Sequence, residues 1–267
     1  MTPCLDAHAH LWDPRFDADR DAVLLRAWEA GLSALVNVGV DLPTSELVVA
    51  AAAADRRLPA VVGVHPHEAR AWCAETSVRL RALAAAPGVV GLGETGLDFY
   101  YDRSPRDDQR RAFRAQLDLA DDLGLPVVVH SRDAEAETVE TLLAWAEGGR
   151  RAGTLGMMHC YSYGPESALR LVAAGFTISF SGTLTYPRND AVREAARAVP
   201  DTAVLLETDA PYLPPQGRRG RRNEPAYMLD TLTTLAGLRG VEPAAIAALT
   251  AANAAALFRL DAVGAPP

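Results

Sequence analysis

Two histidines near the start of the chain have a spacing that suits metal binding. His8 and His10 lie in an Asp-Ala-His-Ala-His motif directly after a short apolar run. Because side chains of a strand alternate between its two faces, both imidazoles and Asp6 would point the same way. Two imidazoles so arranged can hold one divalent cation. Such a motif also occurs in surface loops, so it predicts a metal site only together with other residues.

Four further polar residues follow apolar runs elsewhere in the chain. His130 follows three valines and His159 follows a Gly-Met-Met run, while Glu94 and Asp209 each come at the end of an apolar segment. Taken singly, either histidine fits a buried structural role as well as a ligand role, because a buried imidazole needs a polar partner in both cases. Together with the first motif, the four residues indicate a metal centre with imidazole and carboxylate ligands.

The two carboxylates have the chemistry of catalytic residues in such a centre. Glu94 could bridge two cations through its two oxygens, and its alternative role is an ion pair with a loop arginine. Asp209 could bind a cation and accept a proton from an attacking water molecule. Glu207 has the same strand parity as Asp209. We predict a structural role for Glu207 and catalytic roles for Asp209 and Glu94.

An arginine-rich segment follows the last apolar run. It spans Gly217–Asn223 and contains four arginines, of which we predict that Arg221 and Arg222 bind substrate. Guanidinium groups match the geometry of phosphate oxygens, although a solvated basic loop is the alternative interpretation. Arg132, two residues after His130, is a further predicted substrate contact. His65 is predicted to contact substrate rather than metal.

Composition limits the classes of function that remain. The formal net charge is −8, so any nucleic acid must be bound by local positive charge rather than by the average field. The basic residues are all arginine, because the sequence contains no lysine. The three cysteines show no CxxC spacing, and no basic segment followed by an apolar run opens the chain. We therefore expect a cytoplasmic protein with no membrane span and no evident obligate protein partner.

Eight apolar runs, separated by amphipathic segments, must position these side chains. The predicted strands are Pro3–Ala7, Ala34–Val38, Ala60–Val64, Val89–Gly93, Pro126–Val129, Leu155–Met158, Phe176–Phe180 and Ala203–Thr208. The predicted helices are Glu46–Arg57, Asp107–Leu123, Ala134–Glu147, Glu166–Ala174, Ala191–Ala198, Pro225–Leu238, and the C-terminal stretches Pro243–Leu249 and Ala251–Leu257. Alternating strands and helices predict an α/β fold, a single (β/α)8 TIM barrel over residues 1–263 with extra C-terminal helices and a loose tail at 264–267. Such a barrel would gather the polar strand ends at one rim.

Several motifs, taken in order along almost the whole chain, resemble the TatD-related deoxyribonuclease family of the amidohydrolase superfamily. They are residues 6–10, 63–67, 93–98, 130–132, 159–160, 207–213 and 219–225. One departure is Tyr163, which stands where the family usually has glycine and should narrow the mouth of the site or offer a stacking surface. Some superfamily members bridge their metals with a carboxylated lysine, which the absence of lysine excludes here. The role of His67 stays open.

The resemblance implies two metal ions and a set of ligands for each. The ligands of the first ion would be His8, His10, Glu94 and Asp209, and those of the second would be Glu94, His130 and His159. The resemblance favours Mg, whereas the ligand types favour Zn, and Mn is a further candidate. It also implies hydrolysis of phosphodiester bonds, often as a 3′-to-5′ exonuclease on DNA.

We therefore predict a metal-dependent hydrolase acting on DNA or another phosphodiester. Two cations would activate a water molecule, Asp209 would accept its proton, and the arginines would neutralise the charge that develops at phosphorus. An alternative is a hydrolase of a small ester, amide or lactone using the same site, because a fold does not fix a substrate. Another is a nucleic-acid-binding protein without activity, against which the complete ligand set argues.

Overall fold

The computed structural model describes residues 4–148 and 153–260, and within them all eight predicted strands are present. They are β1 Cys4–Ala9, β2 Leu32–Val38, β3 Ala60–Val62, β4 Val89–Asp98, β5 Val127–Arg132, β6 Gly156–Met158, β7 Phe176–Phe180 and β8 Val204–Leu206. The strands belong to one sheet in which their order follows the chain. Ala9, at the end of β1, forms a parallel bridge with Ala210 beyond β8. The predicted C-terminal tail lies outside the described residues.

Helices separate the strands throughout the described part of the chain. They are α1 Arg20–Glu29, α2 Leu42–Ala54, α3 Ala74–Ala84, α4 Arg106–Leu123, α5 Glu135–Gly148, α6 Pro165–Ala173, α7 Asp190–Ala198, α8 Met228–Arg239 and α9 Pro243–Phe258. Eight parallel strands alternating with helices confirm the predicted α/β fold of the TIM-barrel class.

Several predicted boundaries were wrong. β4 continues to Asp98, five residues beyond the predicted end, because residues 95–98 pair with β5 in spite of the two glycines nearby. β8 is shorter than predicted at both ends, since it begins at Val204 after a 3-10 turn of Asp201–Ala203 and ends at Leu206. Helices α1 and α3 were not predicted, because α1 buries only two side chains and α3 only three, so their apolar faces are weak.

The two predicted C-terminal helices form the single helix α9. The residue between them, Thr250, lies buried inside this helix, and its hydroxyl donates to the carbonyl oxygen of Ile246 at 2.9 Å. No single helix in residues 4–148 and 153–260 is both long and apolar enough to cross a membrane. One bent helix pair, Pro225–Arg239 with Pro243–Phe258, passes that test by length and composition only.

The chain divides into two compact units, each with its own buried strands. In the described residues, the first unit comprises 4–37, 160–169 and 178–260, and the second comprises 38–148, 153–159 and 170–177. In the first unit α9 packs on β1 and β8. In the second, the three valines of β5 are fully buried, as expected for a strand covered on both faces.

Candidate metal centre

His8, His10 and Asp209 form the first cluster, which lies in the first unit. The two imidazole Nε2 atoms are 3.1 Å apart. Asp209 Oδ1 lies 3.4 Å from His10 Nε2 and 3.9 Å from His8 Nε2. All three residues are buried, and each can direct one donor atom into a space less than 4.8 Å across. This set of two imidazoles and one carboxylate fits a divalent cation.

The backbone of β1 holds the first cluster together. Asp209 N–H donates to the carbonyl oxygen of His8 at 2.9 Å, and His10 N–H donates to that of Ala210 at 2.7 Å. Asp209 itself adopts a left-handed backbone conformation with φ of 56°. This conformation is uncommon outside glycine but accessible to aspartate, so it is compatible with the observed direction of the carboxylate.

Asp6 binds the two backbone segments that carry the first cluster, one at His8 and the other at Thr208. Its carboxylate accepts the backbone N–H of His8 at 3.2 Å and that of Thr208 at 2.9 Å, and also the Thr208 hydroxyl at 2.5 Å. Burial raises the pKa of Asp6 to about 7, although the hydrogen bonds from Thr208 oppose the shift. Asp6 therefore holds the backbone at His8 and the residue before Asp209 in place.

Glu94 lies at the centre of the second, or Glu94, cluster, which belongs to the second unit. Its Oε1 atom is 2.9 Å from His130 Nδ1, 3.4 Å from His65 Nε2 and 3.4 Å from His159 Nε2. Burial alone would raise the pKa of Glu94, but the imidazoles of His159, His65 and His130 outweigh it and hold that pKa well below its ordinary value. The glutamate is therefore an anion among nitrogen donors, which also fits a divalent cation.

His65 lies closer to the candidate ligands than the sequence indicated. It was predicted to contact substrate, and the structure places its Nε2 as near to Glu94 as that of His159. Burial lowers the pKa of His65 to about 4, which leaves the imidazole neutral near pH 7. A neutral imidazole is the form that binds metal, so His65 is a candidate ligand as well as a candidate substrate contact.

Asp98 is a buried carboxylate outside the predicted set of site residues. Its Oδ2 lies 3.2 Å from His130 Nε2 and 2.9 Å from His67 Nε2. Burial would raise the pKa of Asp98, but hydrogen bonds with His130 and His67 hold it well below the ordinary value. The sequence does contain a signal for Asp98. It stands four residues after Glu94 in one strand, and side chains an even number of positions apart in a strand lie on the same face.

Two buried glutamines of α4 fix the loops that carry the Glu94 cluster. Gln109 accepts the backbone N–H of Asp98 at 2.8 Å and donates to the carbonyl oxygen of Ser104 at 2.9 Å. Gln116 accepts the N–H of Val64 at 2.8 Å and donates to the carbonyl oxygen of the same residue at 2.9 Å. Through these two bonds, Gln116 holds the backbone of Val64, the residue before His65, in the way that a neighbouring strand would.

The predicted substrate-binding arginines differ in their surroundings. Arg222 donates to both carboxylate oxygens of Asp19, at 2.6 and 2.8 Å, and its guanidinium lies 4.6 Å from the ring of Phe16. Arg221 is exposed. Arg132 stacks on tyrosine rings beside the Glu94 cluster. The donors of Arg222 are thus engaged within the protein, whereas Arg221 extends into solvent.

Tyr163, the departure from the family pattern, is partly buried. Its ring meets that of Tyr161 edge-on, with centroids 5.6 Å apart. Tyr161 is buried and donates its hydroxyl to the carbonyl oxygen of Gly164 at 2.7 Å. Tyr163 therefore packs edge-on against Tyr161 at a position where the family usually has glycine. The effect of this ring on substrate stays a prediction.

Comparison with known proteins settles the family. The sequence profile described as TatD related DNase matches residues 5–259. The chain belongs to the TatD-related DNase family. A relative named 3′-5′ ssDNA/RNA exonuclease TatD, from Erwinia billingiae strain Eb661, is 38% identical over 265 residues, which is 96% of this chain and 99% of the relative. A metal-dependent hydrolase of uncharacterised role, YabD from Bacillus subtilis strain 168, is 36% identical over 223 residues, covering 84% and 86%.

Solved structures agree with this assignment to the TatD family. The TatD homologue YJJV from Escherichia coli K12 superimposes with a TM-score of 0.89 at 30% identity, covering 97% of this chain and 98% of its own. An uncharacterised amidohydrolase from Saccharomyces cerevisiae, at 17% identity and a TM-score of 0.82, shares the fold. This TatD-family chain is therefore a metal-dependent hydrolase acting on phosphoester bonds, as predicted.

Proposed function

We propose that this TatD-family hydrolase cleaves phosphodiester bonds of single-stranded DNA or RNA, from the 3′ end, with two bound divalent cations. The observation that carries the proposal is that each compact unit groups imidazole nitrogens around a carboxylate, and that every residue of these groups except the half-buried His130 is buried. Relatives at 38% identity are named as exonucleases of this type. The cytoplasmic location expected from the cysteine pattern stays a prediction.

Each cluster supplies the ligands for one cation. His8, His10 and Asp209 would hold the first. Glu94, His130 and His159 would hold the second, as the resemblance implies, and His65, which groups with Glu94 and His130 in the structure, is a further donor. This mixture of imidazole and carboxylate ligands suits Zn, Mn or Mg. When bound, such cations polarise the phosphoryl oxygens and lower the pKa of a nearby water molecule.

The side chains around the two clusters have separate tasks. Asp209 offers a carboxylate oxygen that can accept the proton of the attacking water. Asp98 holds His130 from the side opposite Glu94 and so fixes the direction of its ring. Arg132 and Arg221 supply local positive charge for the phosphate, which the net charge of −8 does not provide.

Metal removal and restoration test this function. Protein stripped with a chelator should cleave neither a 3′-labelled single-stranded oligonucleotide nor its RNA equivalent, and restoring Mg, Mn or Zn singly should recover cleavage with at least one of them. A panel of small esters, amides and lactones is assayed under the same conditions. Recovery on that panel with none on any phosphodiester would refute the proposal in favour of the amidohydrolase alternative.

The Asp209→Asn variant distinguishes an enzyme from a binding protein. It keeps the shape of the side chain but removes the proton acceptor, so turnover should fall by about 100-fold or more while an oligonucleotide still binds. Wild-type protein that binds without any metal-restored cleavage would instead support the binding-protein alternative.

A further inference from the structure

Two neighbouring tyrosines are exposed next to the Glu94 cluster. Tyr100 is 57% exposed and Tyr101 is 49% exposed, and both are among the most exposed large apolar side chains of the described residues. Their ring centroids lie 4.9 Å apart with the planes at 87°. An adjacent exposed aromatic pair of this size is a candidate for ligand contact.

A single carboxylate ties the two tyrosines to the site. Asp98 Oδ1 accepts the backbone N–H of Tyr100 at 3.1 Å and that of Tyr101 at 2.8 Å. The other oxygen of the same carboxylate lies 3.2 Å from Nε2 of His130, a proposed ligand. The ring of Tyr101 also lies edge-on to that of His67, with centroids 5.5 Å apart. One residue, Asp98, therefore connects the backbone of the pair to a proposed metal ligand.

Two arginines place positive charge against the same rings. The guanidinium of Arg132 lies 4.0 Å from the Tyr100 centroid and 4.7 Å from that of Tyr101, and the guanidinium of Arg103 lies 5.2 Å from Tyr101. These distances are typical of cation–π contacts. Aromatic faces combined with arginines are how proteins bind single-stranded nucleic acid, with bases on the rings and phosphates on the cations.

We propose that Tyr100, Tyr101 and Arg132 form a base-stacking subsite, which holds a nucleobase of the strand next to the phosphate that is cut. The inference rests on the function proposed above and specifies its substrate. Stacking uses the flat face that every base has, so the subsite accepts any sequence and either sugar. In a duplex those faces are covered by neighbouring base pairs, so the same subsite selects single strands.

Base-free strands provide the test. Binding to the metal-free protein in chelator is measured by fluorescence anisotropy for a labelled oligonucleotide and for a strand of the same length built from abasic residues. KM and kcat are then measured for both with the restored metal. The wild-type protein should bind the base-bearing strand at least about 10-fold more tightly than the abasic one, because stacking on an aromatic ring contributes that much per base.

The Tyr100→Leu/Tyr101→Leu variant keeps apolar bulk and removes both rings. For this variant, the ratio of the abasic strand's Kd to that of the base-bearing strand should fall towards one. The corresponding ratio of KM values should fall in the same way. Tyr227→Leu is the matched control, because its ring also lies under an arginine, Arg218, at 4.5 Å, but in the other compact unit. That variant should keep the wild-type preference.

Three results would overturn the subsite. They are a wild-type protein without any preference for bases, a double variant that retains the preference, and a double variant that loses affinity equally for both strands. The last would mean that the tyrosines support Asp98 and do not contact bases. Base-dependent binding that persists without cleavage would instead refute the proposed activity and leave the subsite intact.

Discussion

At the scale of single residues, the charge of Glu94 is the most consequential feature of the site. The side chain is only 2% exposed, and an isolated buried carboxylate is costly. Three surrounding imidazoles compensate for that cost, and they keep the pKa well below its ordinary value. A divalent cation would take over that compensation, so the negative charge on Glu94 should determine whether metal is retained.

We predict that Glu94→Gln loses bound metal, because the variant keeps the shape of the side chain and removes its charge. Activity should fall on the order of 100-fold or more. Metal content per chain, measured by mass spectrometry after dialysis, also tests the predicted bridge. Loss of one ion places Glu94 on the second cation alone, whereas loss of both supports bridging.

The matched control for this substitution is Glu46→Gln. Glu46 is an exposed glutamate of α2 that pairs with Arg79 at 2.6 Å. Its variant should retain wild-type metal content. If Glu94→Gln also retained it, the assignment of Glu94 as a ligand would be wrong.

At the residue scale, the sequence was sufficient to select side chains by type and position but not to measure their separations. His130, His159 and Glu94 were chosen because polar residues that end buried strands need partners. His65 was assigned to substrate, since nothing in the sequence gives its distance to Glu94. Asp98 was missed because the strand that carries it was predicted to end five residues earlier.

At the scale of elements, β4 and its register against β5 position the Glu94 cluster. Gly96 pairs with His130 in that register. The glycine has φ of 140°, and a Cβ built on it would overlap the carbonyl oxygen of His130. The two strands therefore approach closely at the position where His130 turns towards Glu94, and only glycine allows this.

The Gly96→Ala variant should be destabilised by roughly 2–4 kcal/mol, because it combines an unfavourable backbone conformation with a steric overlap that must be relieved. Urea unfolding measures the change in the free energy of unfolding. Gly237→Ala is the control, since Gly237 lies in α8 and a methyl group added to it would meet no other atom within 4 Å. That variant should gain about 0.5–1 kcal/mol from helix propensity, and equal effects of the two substitutions would contradict the argument.

Most elements were predictable from the sequence, because apolar runs and helical periodicity are properties of short segments. The continuation of β4 was not, since Gly93 and Gly96 are typical of a bend and only pairing with β5 keeps the segment extended. Helices α1 and α3 were not predicted either, because each buries only two or three side chains and so has a weak apolar face.

At the scale of the whole molecule, ion pairs connect residues that are distant in the chain. Arg222 and Arg26 both bind Asp19, and Arg26 also binds Glu224 at 2.6 Å. This network fixes the arginine-rich segment against the start of α1. It explains why the guanidinium of Arg222 is engaged within the protein.

Acid should weaken this network in a defined range. Hydrogen bonds from Arg222 lower the pKa of Asp19 from 3.8 to about 2. A carboxyl group with a depressed folded-state pKa stabilises the protein above its unfolded pKa, and that contribution is lost as the pH falls towards the folded value. The urea midpoint of wild type should exceed that of Asp19→Asn at pH 6, and the difference should shrink between about pH 4 and pH 2. Parallel curves would contradict the pairing.

The salt dependence of oligonucleotide affinity tests which arginine contacts phosphate. If Arg221 meets a phosphate, Arg221→Gln should reduce the slope of log affinity against log salt concentration by roughly 0.7 for a single strand. Arg222→Gln should leave that slope unchanged and lower stability instead, because its guanidinium is paired with Asp19. Oligonucleotide binding titrations across a salt series measure both. The opposite pattern would mean that the segment rearranges to bind substrate.

The link between Asp6 and Thr208 has a consequence for biosynthesis. The two residues are 202 positions apart, so the first cluster cannot receive Asp209 until the ribosome has added those positions after Asp6. A nascent chain could complete the Glu94 cluster much earlier. With the activity proposed above, the chain would therefore stay inert beside the messenger RNA that encodes it until Asp209 has been added.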